Sequence, residues 1–317
     1  MPFRDRAAPL TVRMSTRYIQ ANTNGRLHSA HEPSLTPLNR GFLYGDAIYE
    51  VWRTYDGVVF AWLEHWARLE RSAAALHLPL PWTAPALWPE LQRTAAAYRA
   101  TTGDKGDLYI RLQLTRGGGA IGLDPGLAEQ PVFVLLVQPV PQLPAVALER
   151  GYSLSRATLI HRNAVGTLNP AWKTGNYLNN VLGLREARAR GADEVVMTNL
   201  AGEITEAAVS NLGFVMEERV ITPPLSAGIL AGITRQLLGA TIAAEAGVDW
   251  EERPVRPSEL ASFAECFLMS TTKDVQPVGR IDETTYRVGP DTVTIRLKAA
   301  FRRYAEQYTA GHPEQRL

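Results

Sequence analysis

Alternation of apolar and polar positions marks the first elements of the chain. In "RYIQANTNGRLHSA" two short alternating runs flank Asn24-Gly25, a pair that readily adopts the backbone of a tight turn, so a β-hairpin is expected. A second turn is expected at Tyr55-Asp56-Gly57. Between Phe60 and Leu76, Leu69, Ala73 and Leu76 recur three and four apart; this is helical spacing, and it puts His65, Arg68 and Ser72 on one side of the helix. Another helix is expected at about 85 to 100. The segments "LYIRLQLT" and "PVFVLLVQPV" then read as strands separated by the loop "RGGGAIGLDPG".

Farther along, Tyr177, Leu178, Val181, Leu182 and Leu184 precede "REARARG", which predicts a helix that starts just after Lys173 and stops at Gly191. Strands are expected at "EVVMTN", "NLGFVM" and "RVITPP", the last two as a hairpin. "GILAGITRQLLGATIAAEAG" carries Ile233, Leu237, Leu238 and Ile242 at helical spacing, with Gly232 and Thr234 near the start and Gly247 at the end. "ECFLMSTT" reads as a strand that ends in hydroxyls, and a helix at about 291 to 307 closes the chain.

Pro139, Pro141 and Pro144 cannot serve a central strand. They place a linker at 139–150 between an α+β domain at 16–138 and a larger domain at 151–317. Residues 1–15 lack periodicity and are expected to be a mobile extension. A length of 317 residues suits two such lobes. With 45% hydrophobic and 21% charged residues, the composition is that of a soluble globular protein. Thirty-three basic residues against 32 acidic ones leave no field that would attract nucleic acid or an anionic membrane. Small or neutral partners are the default. There is neither a signal-peptide core nor an uncharged run of membrane-spanning length, so a cytoplasmic enzyme or binding protein is expected. The single cysteine, Cys266, lies in apolar "ECFLMS" and is expected to be an inert core thiol.

The histidines at 28, 31, 65, 77, 161 and 312 form no HxxxH pair, so no metal site is expected. No GxSxG marks a hydrolase. "RGGGAIG" is neither a dinucleotide fingerprint nor a P-loop, and a flexible active-site loop is the better reading. "LAGITR" opens a helix whose first N–H groups could hold a phosphate, with hydroxyls from Thr234, Thr271 and Thr272 and a guanidinium such as Arg68. Each of these also has an ordinary explanation as a cap, a strand-end hydroxyl or a surface arginine. Glu206 in "EITEAAVSN" is either a solvated carboxylate or the partner of a protonated heteroaromatic nitrogen. Lys173 stands as an isolated charge in "NPAWKTGNYLNN". Composition does not choose between these readings.

Their order along the chain does. Lysine, tyrosine four residues later, a carboxylate in GxxxE, LxGITR and a Thr-Thr strand end together resemble the fold-type IV (class IV) pyridoxal-phosphate aminotransferases. "NRGFLYGDAIYE" (39–50) and "HWARLERSA" (65–73) are similar to the family's N-terminal signature. The resemblance runs from about residue 17 to about 308. It implies a two-domain fold of the D-amino-acid aminotransferase type, α+β overall, with a small N-terminal α+β domain and a larger C-terminal α/β domain.

The resemblance also implies roles. Lys173, matching "KxxNY", would carry pyridoxal 5'-phosphate as a Schiff base and shuttle the substrate's Cα proton. A lysine suits both tasks, because its amine forms imines and its pKa, about 10.4 in water, drops when it is desolvated or set near other cations. Glu206 would pair with the pyridine nitrogen. Arg68, Ile233, Thr234 and Thr272 would hold the phosphate, and Tyr177 would lie beside the phenolic oxygen. Transfer of the amino group to a keto acid such as 2-oxoglutarate would then be ping-pong.

Tyr109 and Arg111 in "YIR", and "AIGL" at 120–123, resemble the branched-chain aminotransferase branch, whose members use L-branched-chain amino acids and close each site with a loop of a second subunit. A homodimer or larger homo-oligomer is expected, with Tyr44 and Tyr49 also facing substrate. Tyr49, where that branch usually has phenylalanine, is more like the D-amino-acid branch. Lys273 replaces a small residue beside the α-carboxylate site, and Arg116 could be another carboxylate handle. A D-amino-acid or (R)-amine transaminase, an aminodeoxychorismate-lyase-type enzyme and a non-catalytic relative are the alternatives.

Overall fold

The computed structural model describes residues 18–317; the extension expected at 1–15 lies outside the described residues. The chain forms two compact units. The N-terminal unit comprises described residues 18–141, 172–176 and 305–317, and the C-terminal unit comprises 142–171 and 177–304. Segment 172–176 thus belongs with a unit that lies mostly before it in sequence.

In the N-terminal unit, β1 (Gln20–Thr23) and β2 (Arg26–Ser29) form the expected hairpin. Asn24 and Gly25 both take positive φ there, at 47° and 88°, as a tight hairpin turn requires. A five-residue helix, α1 (Arg40–Tyr44), precedes β3 (Ala47–Tyr55) and β4 (Val58–Val59). Next come α2 (Trp62–Ala75), α3 (Ala84–Thr102), β5 (Leu108–Thr115) and β6 (Val132–Pro139). The strands make one antiparallel sheet in the order β2-β1-β6-β5-β3-β4. One residue of each alternating pair faces α2 and α3, building a core of Trp52, Trp66, Leu69, Leu91, Ile110 and Leu112.

The C-terminal unit opens with the short helix α4 (Val146–Glu149), β7 (Tyr152–Arg156), α5 (Leu178–Ala189) and β8 (Glu194–Val196). The hairpin of β9 (Asn211–Met216) and β10 (Arg219–Thr222) turns at Glu217 and Glu218. Where one long helix was expected, α6 (Ile233–Leu237) runs into a π-helical turn at Leu238–Ile242 and then α7 (Ala243–Glu245). Gly239 lies in that turn against the Trp250 indole, where a Cβ would come within 2.7 Å of Nε1. The strands β11 (Asp249–Glu252), β12 (Glu265–Ser270), β13 (Asp274–Ile281) and β14 (Thr284–Thr285) follow, and then α8 (Val293–Gly311), whose residues from 305 on are counted with the N-terminal unit. The mixed sheet runs β11-β10-β9-β12-β13-β7-β8, with β14 on β13. Cys266 is buried within it, and burial pushes its thiol well above the usual range. Among the described residues, no helix is long and apolar enough to cross a membrane. Nor do three or more His, Cys, Asp or Glu side chains gather there as a metal site would need.

Gly213 of β9 pairs with the fully buried Phe267 of β12, and a Cβ on it would lie 2.3 Å from the ring. Gly213→Ala should therefore cost about 1–3 kcal/mol by overpacking, seen as a lower urea midpoint at an unchanged m-value.

Candidate active site

Strand β3 sorts its side chains by parity. Ile48, Glu50, Trp52 and Thr54 are fully buried, while Tyr49, Val51, Arg53 and Tyr55 lie on the other face. Residues 47–49 use one edge to pair with β5, and the other edge is taken by the lysine segment. Tyr49 N donates to Lys173 O at 2.9 Å, Gly175 N donates to Ala47 O at 2.8 Å, and Ile48 bridges Thr174. From the α2 side, Ser72 Oγ accepts from Lys173 N at 3.1 Å and donates to Arg68 O at 3.0 Å. Asn176 Nδ2 donates to Gly45 O at 2.9 Å. The lysine backbone is thus held on several sides before its amine does anything.

That amine donates to the Tyr49 hydroxyl at 3.3 Å and lies 4.3 Å from the ring centroid. The Arg111 guanidinium is 3.8 Å from the same centroid and donates to Gln113 Oε1 at 2.9 Å. Two cations therefore share one electron-rich ring. Tyr109 has the same parity on β5 as Arg111. Tyr44 Oη accepts from Gly122 N at 3.1 Å, so its hydroxyl steadies the 117–128 loop.

That loop is less free than its glycines suggested. Arg40 holds the carbonyls of Gly122 and Leu123 at 2.8 and 3.1 Å. Gly117 and Gly119 have positive φ, and a Cβ would strike Gln130 O at 1.9 Å and Leu127 O at 2.0 Å. The glycines answer a close backbone approach. Arg116, expected as a carboxylate handle or a surface charge, is buried instead. It donates to Asp46 Oδ2 at 2.8 Å and to the carbonyls of His77 and Leu76 at 2.8 and 2.9 Å, so its guanidinium is spent on the fold.

Below β3, Glu50 takes Arg68 Nε on one oxygen at 2.6 Å and Arg68 Nη2 on the other at 2.8 Å. The second oxygen also accepts from His65 Nδ1 at 2.8 Å. Burial alone would raise the Glu50 pKa, but Arg68 and His65 more than offset it and hold the carboxyl far below the usual range. Burial lowers the pKa of His65, and the attraction of Glu50 only partly restores it. Sequence reading singled out Arg68 but gave Glu50 and His65 no role.

In the C-terminal unit, buried Glu206 accepts from Arg162 Nε at 2.9 Å on one oxygen, and from Asn211 Nδ2 at 3.2 Å and Leu230 N at 3.0 Å on the other. Arg162 also donates to Asn180 Oδ1 at 3.2 Å. Gly232 is the N-cap of α6 and offers no side-chain cap; a Cβ there would meet Asn211 Oδ1 at 2.1 Å. Ile233 and Thr234 follow as the first helical residues, both buried. Thr271, Thr272 and Lys273 form the β12–β13 turn, at the end of the sheet where Asn211 begins β9. Lys273, expected beside substrate, donates its amine to Ser210 Oγ at 3.3 Å. Burial lowers its pKa against the opposing pull of Glu194. Tyr177, half-buried, stands at the N-cap of α5. Sequence reading missed Arg162 and Asn211, which reach Glu206 across 44 and 5 positions.

Residues 47–281 match the family Amino-transferase class IV. The chain is 34% identical to a putative branched-chain-amino-acid aminotransferase of Methanocaldococcus jannaschii, over 82% of this chain and 86% of the relative. It is 31% identical to the D-alanine aminotransferase of Bacillus licheniformis, over 87% and 94% respectively. The branched-chain aminotransferase of Thermoproteus uzoniensis, solved with norvaline, superposes with a TM-score of 0.80 at 28% identity, covering 93% of this chain and 98% of that one.

The buried triad carries a pH dependence. Glu50 is depressed on folding, so its contribution is present above its unfolded value of about 4.3 and is lost as pH falls below it. His65 is also depressed, so the unfolded chain takes a proton near pH 6.5 that the folded one refuses, and stability falls from there downward. The urea midpoint should therefore drop as pH is lowered from about 7.5 to about 5.5, and His65→Gln should flatten that part of the profile.

Proposed function

The chain belongs to the class IV aminotransferases, and on that premise we propose that it uses pyridoxal 5'-phosphate to move an amino group from an L-branched-chain amino acid to a 2-keto acid such as 2-oxoglutarate. The observation that carries the reading is the Lys173 amine, set on the β3 edge against the Tyr49 hydroxyl. The residues present fit the cofactor. A buried carboxylate held by three donors suits the N–H of a protonated ring, and α6, with no side-chain cap, has backbone N–H groups suited to a phosphate. When bound, the cofactor supplies an electron sink for the electrons left at the substrate's Cα.

The remaining work falls to the chain's own groups. Lys173 would be the attachment point, and once displaced by substrate its amine would take the proton from the substrate's Cα and deliver it to the cofactor's carbonyl-derived carbon, on the far side of the nitrogen. Glu206 would accept the ring N–H, with Arg162 and Asn211 setting the plane of its carboxylate. Arg68, Ile233 N–H, Thr234 and Thr272 would hold the phosphate, and Tyr177 would lie beside the phenolic oxygen. Tyr49, Tyr109 and Arg111 form the substrate-facing surface on β3 and β5, and Tyr44 helps to shape it. Lys273 bears on the carboxylate end through its backbone, its amine being directed at Ser210. Two half-reactions on one site give ping-pong kinetics.

The assembly is read as a homodimer or larger. Ile121 and Leu123 support this: the two residues are 75% and 80% exposed on a loop fastened by Arg40, and a second copy would cover them.

A second reading, a D-amino-acid or (R)-amine transaminase, is favoured by Tyr49, whose hydroxyl phenylalanine would lack. Purified protein given L-leucine, D-alanine or (R)-1-phenylethylamine with a keto acid distinguishes the two. Fastest turnover of L-leucine is expected; preference for D-alanine or the amine would replace the first reading with the second. Pyruvate release without a keto acid would point to the lyase type. Lys173→Ala keeps the backbone bonds to Ser72, Tyr49 and Ala47, so thermal unfolding should be nearly unchanged while turnover falls at least about a thousandfold. Near-normal turnover would remove the assigned role.

A further inference from the structure

We propose that Glu50 is a positioning residue that aims the Arg68 guanidinium at the cofactor phosphate, an inference that rests on the reading of Arg68 as a phosphate ligand. Its carboxylate clasps the Nε and Nη2 edge of the guanidinium at 2.6 and 2.8 Å. A bidentate clasp on one edge fixes the plane of the fork, and so the direction in which its opposite edge points. The clasp is itself fixed. Glu50 is fully buried on β3, and the oxygen that takes Nη2 also accepts from His65 Nδ1 at 2.8 Å and from Val51 N at 3.2 Å. His65, kept neutral by burial, orders that oxygen without adding charge.

A long side chain that binds an anion loses rotamer freedom on binding, and one already locked by the fold does not. Arg68 is also tied to the lysine: its carbonyl accepts from Ser72 Oγ, which accepts from Lys173 N. A carboxylate behind the guanidinium also weakens its attraction for a dianion. Orientation and charge therefore have opposite signs, and their balance can be read in binding.

The test is absorbance titration of the full-length apoprotein with pyridoxal 5'-phosphate and with pyridoxal, which lacks the phosphate, for wild type, Glu50→Gln, Glu50→Asp and Arg68→Gln. The readout is the affinity for the phosphorylated form divided by that for pyridoxal. Arg68→Gln should lower this ratio, and Glu50→Gln should lower it about tenfold or more with pyridoxal affinity unchanged. An equal or higher ratio in Glu50→Gln, with the ratio lowered in Arg68→Gln, would overturn the positioning role and leave Glu50 as a counter-charge. An unchanged ratio in Arg68→Gln would instead remove the phosphate reading of Arg68, and this inference with it. Should Glu50→Gln not fold, Glu50→Asp decides by the same ratio, since it keeps the charge and withdraws the carboxylate by one methylene: a lowered ratio supports positioning and a wild-type ratio overturns it.

Discussion

The pairing of residues 173–175 with the edge of β3 is the constraint on which the placement of the Lys173 amine depends. A lysine in an unpaired loop would sweep its amine through a wide volume. Here the backbone at Lys173 and two residues beyond it is held by ladder-like hydrogen bonds to Tyr49 and Ala47, with Ser72 supporting the Lys173 N–H. The same strand sets two chemistries through its pleat: Tyr49 meets the lysine amine on one face, and Glu50 meets Arg68 on the other. A one-residue slip would exchange them.

Three carboxylates sit in largely buried arginine clusters: Asp46 with Arg40 and Arg116, Glu50 with Arg68, and Glu206 with Arg162. Desolvating such pairs costs about as much as their attraction returns, so they are poor sources of net stability. What they supply is direction. Each arginine in the first and third clusters also reaches another polar group, a carbonyl of the 122–124 loop or of Leu76 and His77, or the Asn180 amide. Flexible segments are thereby fixed to points that a purely apolar contact would leave loose.

Much of this was legible in the sequence. Asn24-Gly25 announced a hairpin, and helical spacing put His65, Arg68 and Ser72 on one face of α2, where all three are buried. The order of motifs identified the family. What stayed hidden was mostly non-local. Glu206 and Arg162 come together from positions 44 apart, and no periodicity in the irregular segment around 162 signals this. Arg116 looked like a loop charge because its partners are the carbonyls of Leu76 and His77, about forty positions away. The π-helical turn at Leu238–Ile242 was missed because Gly239 fits an ordinary helix, and the indole of Trp250 lies outside that segment.

Helix α2 carries two of these connections on one rigid body: the Arg68 guanidinium in the grip of Glu50 and, one turn later, the Ser72 hydroxyl under the lysine backbone. A displacement of this helix would carry both along together. The placement of the guanidinium and that of the lysine backbone are thus one mechanical property of α2 rather than two. The opposite face of β3 is supported from another direction, by the β5 guanidinium of Arg111 stacked on the Tyr49 ring, so the two sides of one strand answer to different neighbours.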